Sequence, residues 1–394
     1  MVQVHGICEP RFDDVKELLQ SYLNSGEELG ASFNVNIDGE DVVDLWGGFA
    51  DKDKTKEWKE DTITTVWSTS KCITALAALV LIERGLLSPY EKVSKYWPEF
   101  AANGKQAIEV RHIMSHTSGI SGWATPMTIN DVYDIPRSTA LLEEQAPFWE
   151  PGTASGYHSI TMGHLIGELV LRTSGKPLGQ FIADEIAAPL GADFQLGVAE
   201  KDWPRIAEII APPVVDGLRA KMDPAGIPAK TFANPMMDAN FANTREWRQA
   251  PLGGASGHSS AKGVARIMSV VALGGEVGGV RLLSPKTIDL IFREQSSGTD
   301  LAAGLGFRTG IGYGLTGKDT VGGWLPDEDG ICYWGGWGGS VAIVDVKRKM
   351  TIAFVMNKME NAVFGNDRSK AYVQAVYKAL GVEPKAFTGG QLPV

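Results

Sequence analysis

Two serine–lysine pairs three residues apart stand out as candidates for covalent chemistry: Ser68 with Lys71, and Ser259 with Lys262. Side chains at that spacing share one face of a helix. A serine hydroxyl is a poor nucleophile at neutral pH, and a neighbouring amine that accepts its proton would activate it. The settings differ. Ser68 and Lys71 open "STSKCITALAALVLIERG", an almost unbroken apolar helix that ends at Gly85, as helices often do. A lysine there must lose its proton or find partners. Ser259 lies in "GHSSAKGVARIM" and reads as the N-cap of a helix running into Val264, Ile267 and Met268. Taken alone, the first pair also fits a capping serine beside a solvated lysine.

The elements that would position the first pair follow from hydrophobic periodicity. Phe12, Val15, Leu18, Leu19, Tyr22 and Leu23 recur at helical spacing. Ala31, Phe33, Val35 and Ile37 alternate, turn at Asp38-Gly39, and return through Val42, Val43 and Leu45, which is a hairpin pattern. From about Ser88 to Pro251, proline and tryptophan are frequent, Ile160 to Arg172 reads as helix, and strand alternation is scarce. "SVAIVDVKRKMTIAFVMN" then gives two strands joined at Lys347 to Lys349, and Tyr372, Val373, Val376, Tyr377 and Leu380 mark a last helix. This order predicts an α+β fold: an antiparallel sheet flanked by the two terminal helices, with a mostly helical second domain. The expected domains are 1–87 with 252–394, carrying the sheet, and an inserted 88–251, with the active site in the cleft between them.

Bulk properties narrow the function. The formal net charge of -10 argues against nucleic acid as a partner, because phosphate recognition needs a basic face. No apolar run is long enough to span a bilayer, and the N-terminus lacks a signal peptide's basic start and apolar stretch. Cys8, Cys72 and Cys332 are widely spaced and form no metal or disulfide pattern. A cytoplasmic protein with reduced thiols is expected. Neither a HExxH nor a G-x-S-x-G pattern occurs, so zinc-hydrolase and α/β-hydrolase readings lack their key residues.

Several stretches together resemble one family. "WSTSK" before an apolar helix is similar to the nucleophile motif of class C β-lactamases, penicillin-binding proteins and family VIII carboxylesterases. In matching order come "IDGEDVVDLWGGFAD", "VRHIMSHTSGISG", "FWEPGTASGYHSITMGHLIGELV", "GGASGHSSAKGVARIM", "GGEVGGVRLLSPKTIDLI" and "YWGGWGGSVAIVD", so the resemblance spans roughly Gly30 to Met356. It implies Ser68 as nucleophile, Lys71 as its base or proton relay, and Tyr157 as second base. A phenol with a pKa near ~10 needs nearby positive charge for that task, which Lys71 would supply. The literal Tyr-x-Asn at Tyr22 precedes the nucleophile and reads as packing. After Tyr157 come His158 and Ser159, so serine stands where the family usually has asparagine.

The family's Lys-Thr-Gly strand motif is absent; Arg308-Thr309-Gly310 imitates it too early in the chain. Trp334-Gly335-Gly336 stands in the expected place, before Trp337, as in the esterase branch, whereas Trp46-Gly47-Gly48 reads as a turn. Tryptophan for lysine exchanges a cation for an apolar wall, which favours neutral acyl groups over carboxylate-bearing lactams. The glycines are expected to let the backbone approach the ester. The resemblance implies an oxyanion hole from the backbone N–H groups of Ser68 and Trp337, with Trp334, Gly335, Gly336, Trp337, His158 and Ser159 binding substrate. It implies no metal and no cofactor. The expected activity is a serine carboxylesterase acting on small, short-chain neutral esters. Acyl transfer, β-lactamase or D-amino-acid amidase activity, and a non-catalytic scaffold are the rivals.

Overall fold

A computed structural model describes residues 2–213 and 222–383; the remaining parts of the expected segments, residue 1, 214–221 and 384–394, lie outside the described residues. The hairpin at Asp38-Gly39 forms as its sequence dictates. Both residues adopt left-handed backbone, with φ 53° and 93°, the geometry that suits a tight two-residue turn between twisted strands. Its strands, Gly30–Ile37 and Glu40–Gly48, belong to a nine-stranded antiparallel sheet. Across the sheet the order is Val4–Cys8, Glu40–Gly48, Gly30–Ile37, Met350–Met356, Val341–Asp345, Ile331–Gly335, Gly314–Leu315, Gly306–Thr309 and Ser296–Thr299. All nine come from residues 4–48 and 296–356.

Alternation decides what each face meets. Phe33 points toward the terminal helices Asp13–Ser25 and Asp367–Ala379, where its ring lies 5.3 Å from that of Tyr372 and Tyr22 closes on Tyr372 at 5.6 Å. The opposite face is covered as well. Ser32 Oγ accepts the Ala261 N–H at 3.0 Å, and Ser269 donates to Thr351 at 3.3 Å, which fixes the helix Ala261–Ala272 there. The sheet is therefore sandwiched between helices on both sides.

The apolar run forms the helix Ser70–Glu83, buried on nearly every side. It packs against Thr161–Ser174 from the 88–251 segment, and Tyr313 donates to the Cys72 carbonyl at 2.8 Å. A small sheet of Thr64–Thr65, Gly257–Ser259 and Phe194–Leu196 ties that segment to the residues before the nucleophile. No helix among the described residues is long and apolar enough to cross a membrane.

Two local expectations are corrected. Val4–Cys8 is an edge strand that periodicity missed, because His5 and Gly6 interrupt its apolar alternation. Ser259 is not the cap: it sits in the strand Gly257–Ser259 and donates to the Asp193 carbonyl at 2.6 Å, while Ser260 caps the helix by accepting the Gly263 N–H at 3.2 Å.

Candidate active site

Ser68 stands just before its helix, in the single tight turn Trp67–Thr69. Trp67 has φ 48°, a left-handed conformation that a bulky side chain rarely adopts. Its ring is wedged between Trp247, at 5.0 Å, and Trp337, at 5.1 Å, so packing holds the kink. The kink leaves Ser68 half-buried at the head of a helix whose first turn carries Lys71.

Lys71 is only 1% exposed. Its Nζ lies 3.0 Å from Ser68 Oγ, 2.6 Å from the Ser159 carbonyl and 2.7 Å from the Gly254 carbonyl. Tyr157 Oη donates to Ser68 Oγ at 2.8 Å, and Lys71 Nζ sits 4.9 Å from the centre of the phenol ring. Burial pushes the Lys71 amine well below its ordinary pKa. Burial also pushes the Tyr157 phenol well above its own, opposed by the hydrogen bond to Ser68. Both shifts favour uncharged forms. An uncharged amine has two N–H bonds, which the two carbonyls accept, and one lone pair, which is left facing the serine hydroxyl. The phenol keeps its proton and spends it on the serine oxygen. This revises the expectation that a positively charged Lys71 would draw Tyr157 toward its ionised form.

The other side of Ser68 is built by the strand Ile331–Gly335 and the turn after it. Ser340 Oγ donates to the Val66 carbonyl at 2.9 Å and lies 3.0 Å from Thr69 Oγ1, stitching this turn to the one carrying Ser68. The stitch sets the backbone amides of Ser68 and Trp337 on neighbouring chain segments, and neither amide is engaged by another described backbone group.

The remaining expected site residues fare unevenly. Trp337 is half-buried beside Trp67. Ser159 contributes its carbonyl, not its hydroxyl, to Lys71. Trp334 is 2% exposed and backs the Tyr157 ring at 5.6 Å, so it is a support behind the phenol and not a wall open to substrate. Gly335 and Gly336 answer to the protein's own backbone. A Cβ on Gly335 would lie 2.4 Å from Phe364 Cα, and one on Gly336 would lie 2.3 Å from Ser340 Oγ and 2.5 Å from the Val66 carbonyl. His158 is fully buried, with Nε2 2.6 Å from Ser118 Oγ and Nδ1 2.6 Å from the Gly156 carbonyl. Both ring nitrogens are thus committed away from any substrate.

With this geometry in hand, comparison with known proteins is decisive. A family model described as Beta-lactamase matches residues 15–377. The chain belongs to the beta-lactamase family. It is 29% identical to "Esterase/beta-lactamase LipL" of Mycobacterium tuberculosis, across 93% of this chain and 86% of that protein. A solved structure described as a family VIII carboxylesterase is 35% identical with a TM-score of 0.89, covering 96% of this chain and all of the other. A penicillin-binding protein homologue from Caulobacter crescentus is 34% identical, also with a TM-score of 0.89, over 96% of this chain and 100% of its own.

Sequence reasoning about this beta-lactamase-family chain missed two neighbours of Tyr157. His116 packs edge-on to the phenol ring at 5.2 Å and accepts the His158 N–H at 3.1 Å. It belongs to the His-Thr-Ser-Gly turn, so the motif marked the place without the role. Asp300 accepts the backbone N–H of Tyr157 at 3.0 Å, and nothing in the sequence around it signals that contact.

Proposed function

We propose that the chain is a serine carboxylesterase of the beta-lactamase family, acting on small neutral esters through an acyl-enzyme on Ser68. The observation that carries the reading is the convergence of Tyr157 Oη and Lys71 Nζ on Ser68 Oγ, at 2.8 and 3.0 Å. As Ser68 Oγ attacks the ester carbonyl, its proton passes to the Lys71 lone pair. The oxyanion that forms accepts hydrogen bonds from the Ser68 and Trp337 amides. Loss of one such donor usually costs about 10²–10³ in rate. Collapse breaks the bond to the alkoxy group, which leaves as the alcohol with a proton carried by the Lys71–Tyr157 pair. Water then gives a proton to that pair, attacks the acyl carbon, and releases the acid as Ser68 regains its hydrogen.

The half-buried Trp337 and Phe232, the latter 6.2 Å from the Tyr157 ring, offer apolar surface to a neutral acyl group. Trp334 is buried behind the phenol and touches no substrate; what favours esters over carboxylate-bearing lactams is that this position supplies no lysine to hold a carboxylate. In this reading the site opens between the sheet-bearing segments 1–87 and 252–394 and the inserted 88–251. The names borne by the relatives include both esterases and penicillin-binding proteins, so the test must separate them. Clear turnover of p-nitrophenyl acetate and butyrate is expected, with little turnover of nitrocefin. The reverse pattern overturns the assignment. A fluorophosphonate adduct on Ser68, seen by mass spectrometry and lost in Ser68→Ala, checks the nucleophile; a folded protein without it favours a scaffold.

A further inference from the structure

We infer that Asp300 is the positioning residue that sets Tyr157 against Ser68, a role that rests on the esterase reading above. Asp300 is 1% exposed and directly follows the edge strand Ser296–Thr299. Its carboxylate accepts four hydrogen bonds. Oδ1 takes the Tyr157 N–H at 3.0 Å, the Ala302 N–H at 3.0 Å and the Ala303 N–H at 2.8 Å, while Oδ2 takes the Ser155 hydroxyl. A reciprocal bond runs the other way, from the Leu301 N–H to the Ser155 carbonyl at 2.8 Å. The loop 155–157 is therefore clasped to the turn 300–305, and that turn closes on itself through the Gly304 N–H to the Asp300 carbonyl at 2.8 Å.

The clasp matters because the two sides of the catalytic contact are anchored to different parts of the chain. Ser68 and Lys71 are tied to the sheet through Ser340 and to Gly254 through the lysine, whose remaining carbonyl partner is Ser159, two residues beyond Tyr157. Tyr157 lies in the 88–251 segment, and its backbone is held to the sheet's edge by Asp300. A buried side-chain oxygen that accepts several N–H bonds is a strong anchor, because every donor it released would be left unsatisfied away from water. Trp334 and His116 pack against the faces and edge of the ring. Among the described residues, Asp300 alone holds the Tyr157 backbone N–H by a side chain, so cutting the clasp frees the main chain from which the phenol is hung. A displacement of about 1 Å at a reacting group can cost on the order of 10²-fold in rate. Asp300 has no direct contact with Ser68, so its effect on rate runs through Tyr157.

A double-mutant cycle reads that dependence directly. Asp300→Ala is expected to lower kcat on p-nitrophenyl butyrate by about 10²-fold with KM nearly unchanged. In a Tyr157→Phe background, already slow, the same substitution should cost less than about threefold, because the group it positions is gone. Equal losses in both backgrounds overturn the inference. Asp300→Asn keeps an oxygen for the three amides and should stay within about fivefold of the unsubstituted protein; a loss matching Asp300→Ala would assign the effect to charge and overturn the clasp. If Asp300→Ala does not fold, as judged by thermal melting, Asp300→Ser takes its place in the cycle.

Structure supplies a readout independent of turnover. In crystals of the Asp300 variant, the Tyr157 Oη to Ser68 Oγ separation should open by about 1 Å or more. Retention of the 2.8 Å contact overturns the clasp. An unsubstituted chain that neither hydrolyses esters nor labels at Ser68 refutes the esterase reading instead, and leaves this distance to judge Asp300.

Discussion

The chain contains the same four-residue pattern twice and folds it into opposite environments. In Ser68–Lys71 the lysine is 1% exposed and faces two carbonyls and a hydroxyl, with no carboxylate among its hydrogen-bond partners. In Ser259–Lys262 the lysine side chain is 47% exposed and pairs with Asp44 at 2.7 Å. Burial drives the first amine's pKa down, whereas the hydrogen bond to Asp44 draws the second one's up. The serines diverge in the same way. Ser68 Oγ is the meeting point of an amine and a phenol, while Ser259 Oγ is spent on the Asp193 and Ser260 carbonyls. A spacing motif therefore specifies only that two groups are neighbours. Desolvation and the partners brought by distant segments decide whether they react.

The largest contrast is expected from removing each hydroxyl. Ser68→Ala should lower kcat/KM for p-nitrophenyl butyrate by on the order of 10⁴-fold or more, and Ser259→Ala should leave it within about twofold. Comparable losses would erase the distinction between the two copies. Replacing the amines comes next. Lys71→Met removes the proton acceptor and should cost about 10²–10⁴-fold in kcat, while Lys262→Met should not change kcat measurably.

The pH profile sharpens the difference in sign. Because the reaction needs Lys71 as the free amine, kcat/KM should fall by about tenfold per unit as pH drops through its lowered pKa. That acid limb should vanish from the residual activity of Lys71→Met; its survival would assign the limb to another group. The smallest effect concerns stability. Lys262 has a raised folded-state pKa, so its pairing contributes stability below its unfolded pKa and loses it as pH rises through the folded one. The Lys262 side chain is 47% exposed but that of Asp44 only 10%, so Lys262→Met leaves a largely buried carboxylate without this partner and should cost on the order of 1 kcal/mol in urea melts at neutral pH. A larger loss would make this copy structurally important.

What the sequence revealed follows the same line. The hairpin, the buried helix and the final strand pair were legible because periodicity encodes which face is apolar. Ser68, Lys71 and Tyr157 could be ordered by motif, and the structure brings their reactive atoms together. The lining was harder to read. His158, Trp334, Gly335 and Gly336 lie next to key residues in sequence, yet each is taken up by interior packing. Asp300 shows the converse: it reaches Tyr157 across 143 positions, and no local pattern announces such a contact. The cap at Ser260, one residue beyond the serine expected, shows that neighbouring hydroxyls compete for a helix end and that the strand decides between them.

The pairing of Gly30–Ile37 with Met350–Met356 joins two stretches separated by most of the polypeptide. At a synthesis rate of about 5–20 residues per second, the early hairpin must wait on the order of tens of seconds for its partner to leave the ribosome. The helix Ser70–Glu83 emerges in that interval, apolar on nearly every side and still uncovered. The newborn chain is thus most vulnerable to aggregation well before its last strand appears. Slowing translation upstream of codon 350 should lower the yield of folded protein more than slowing it afterwards.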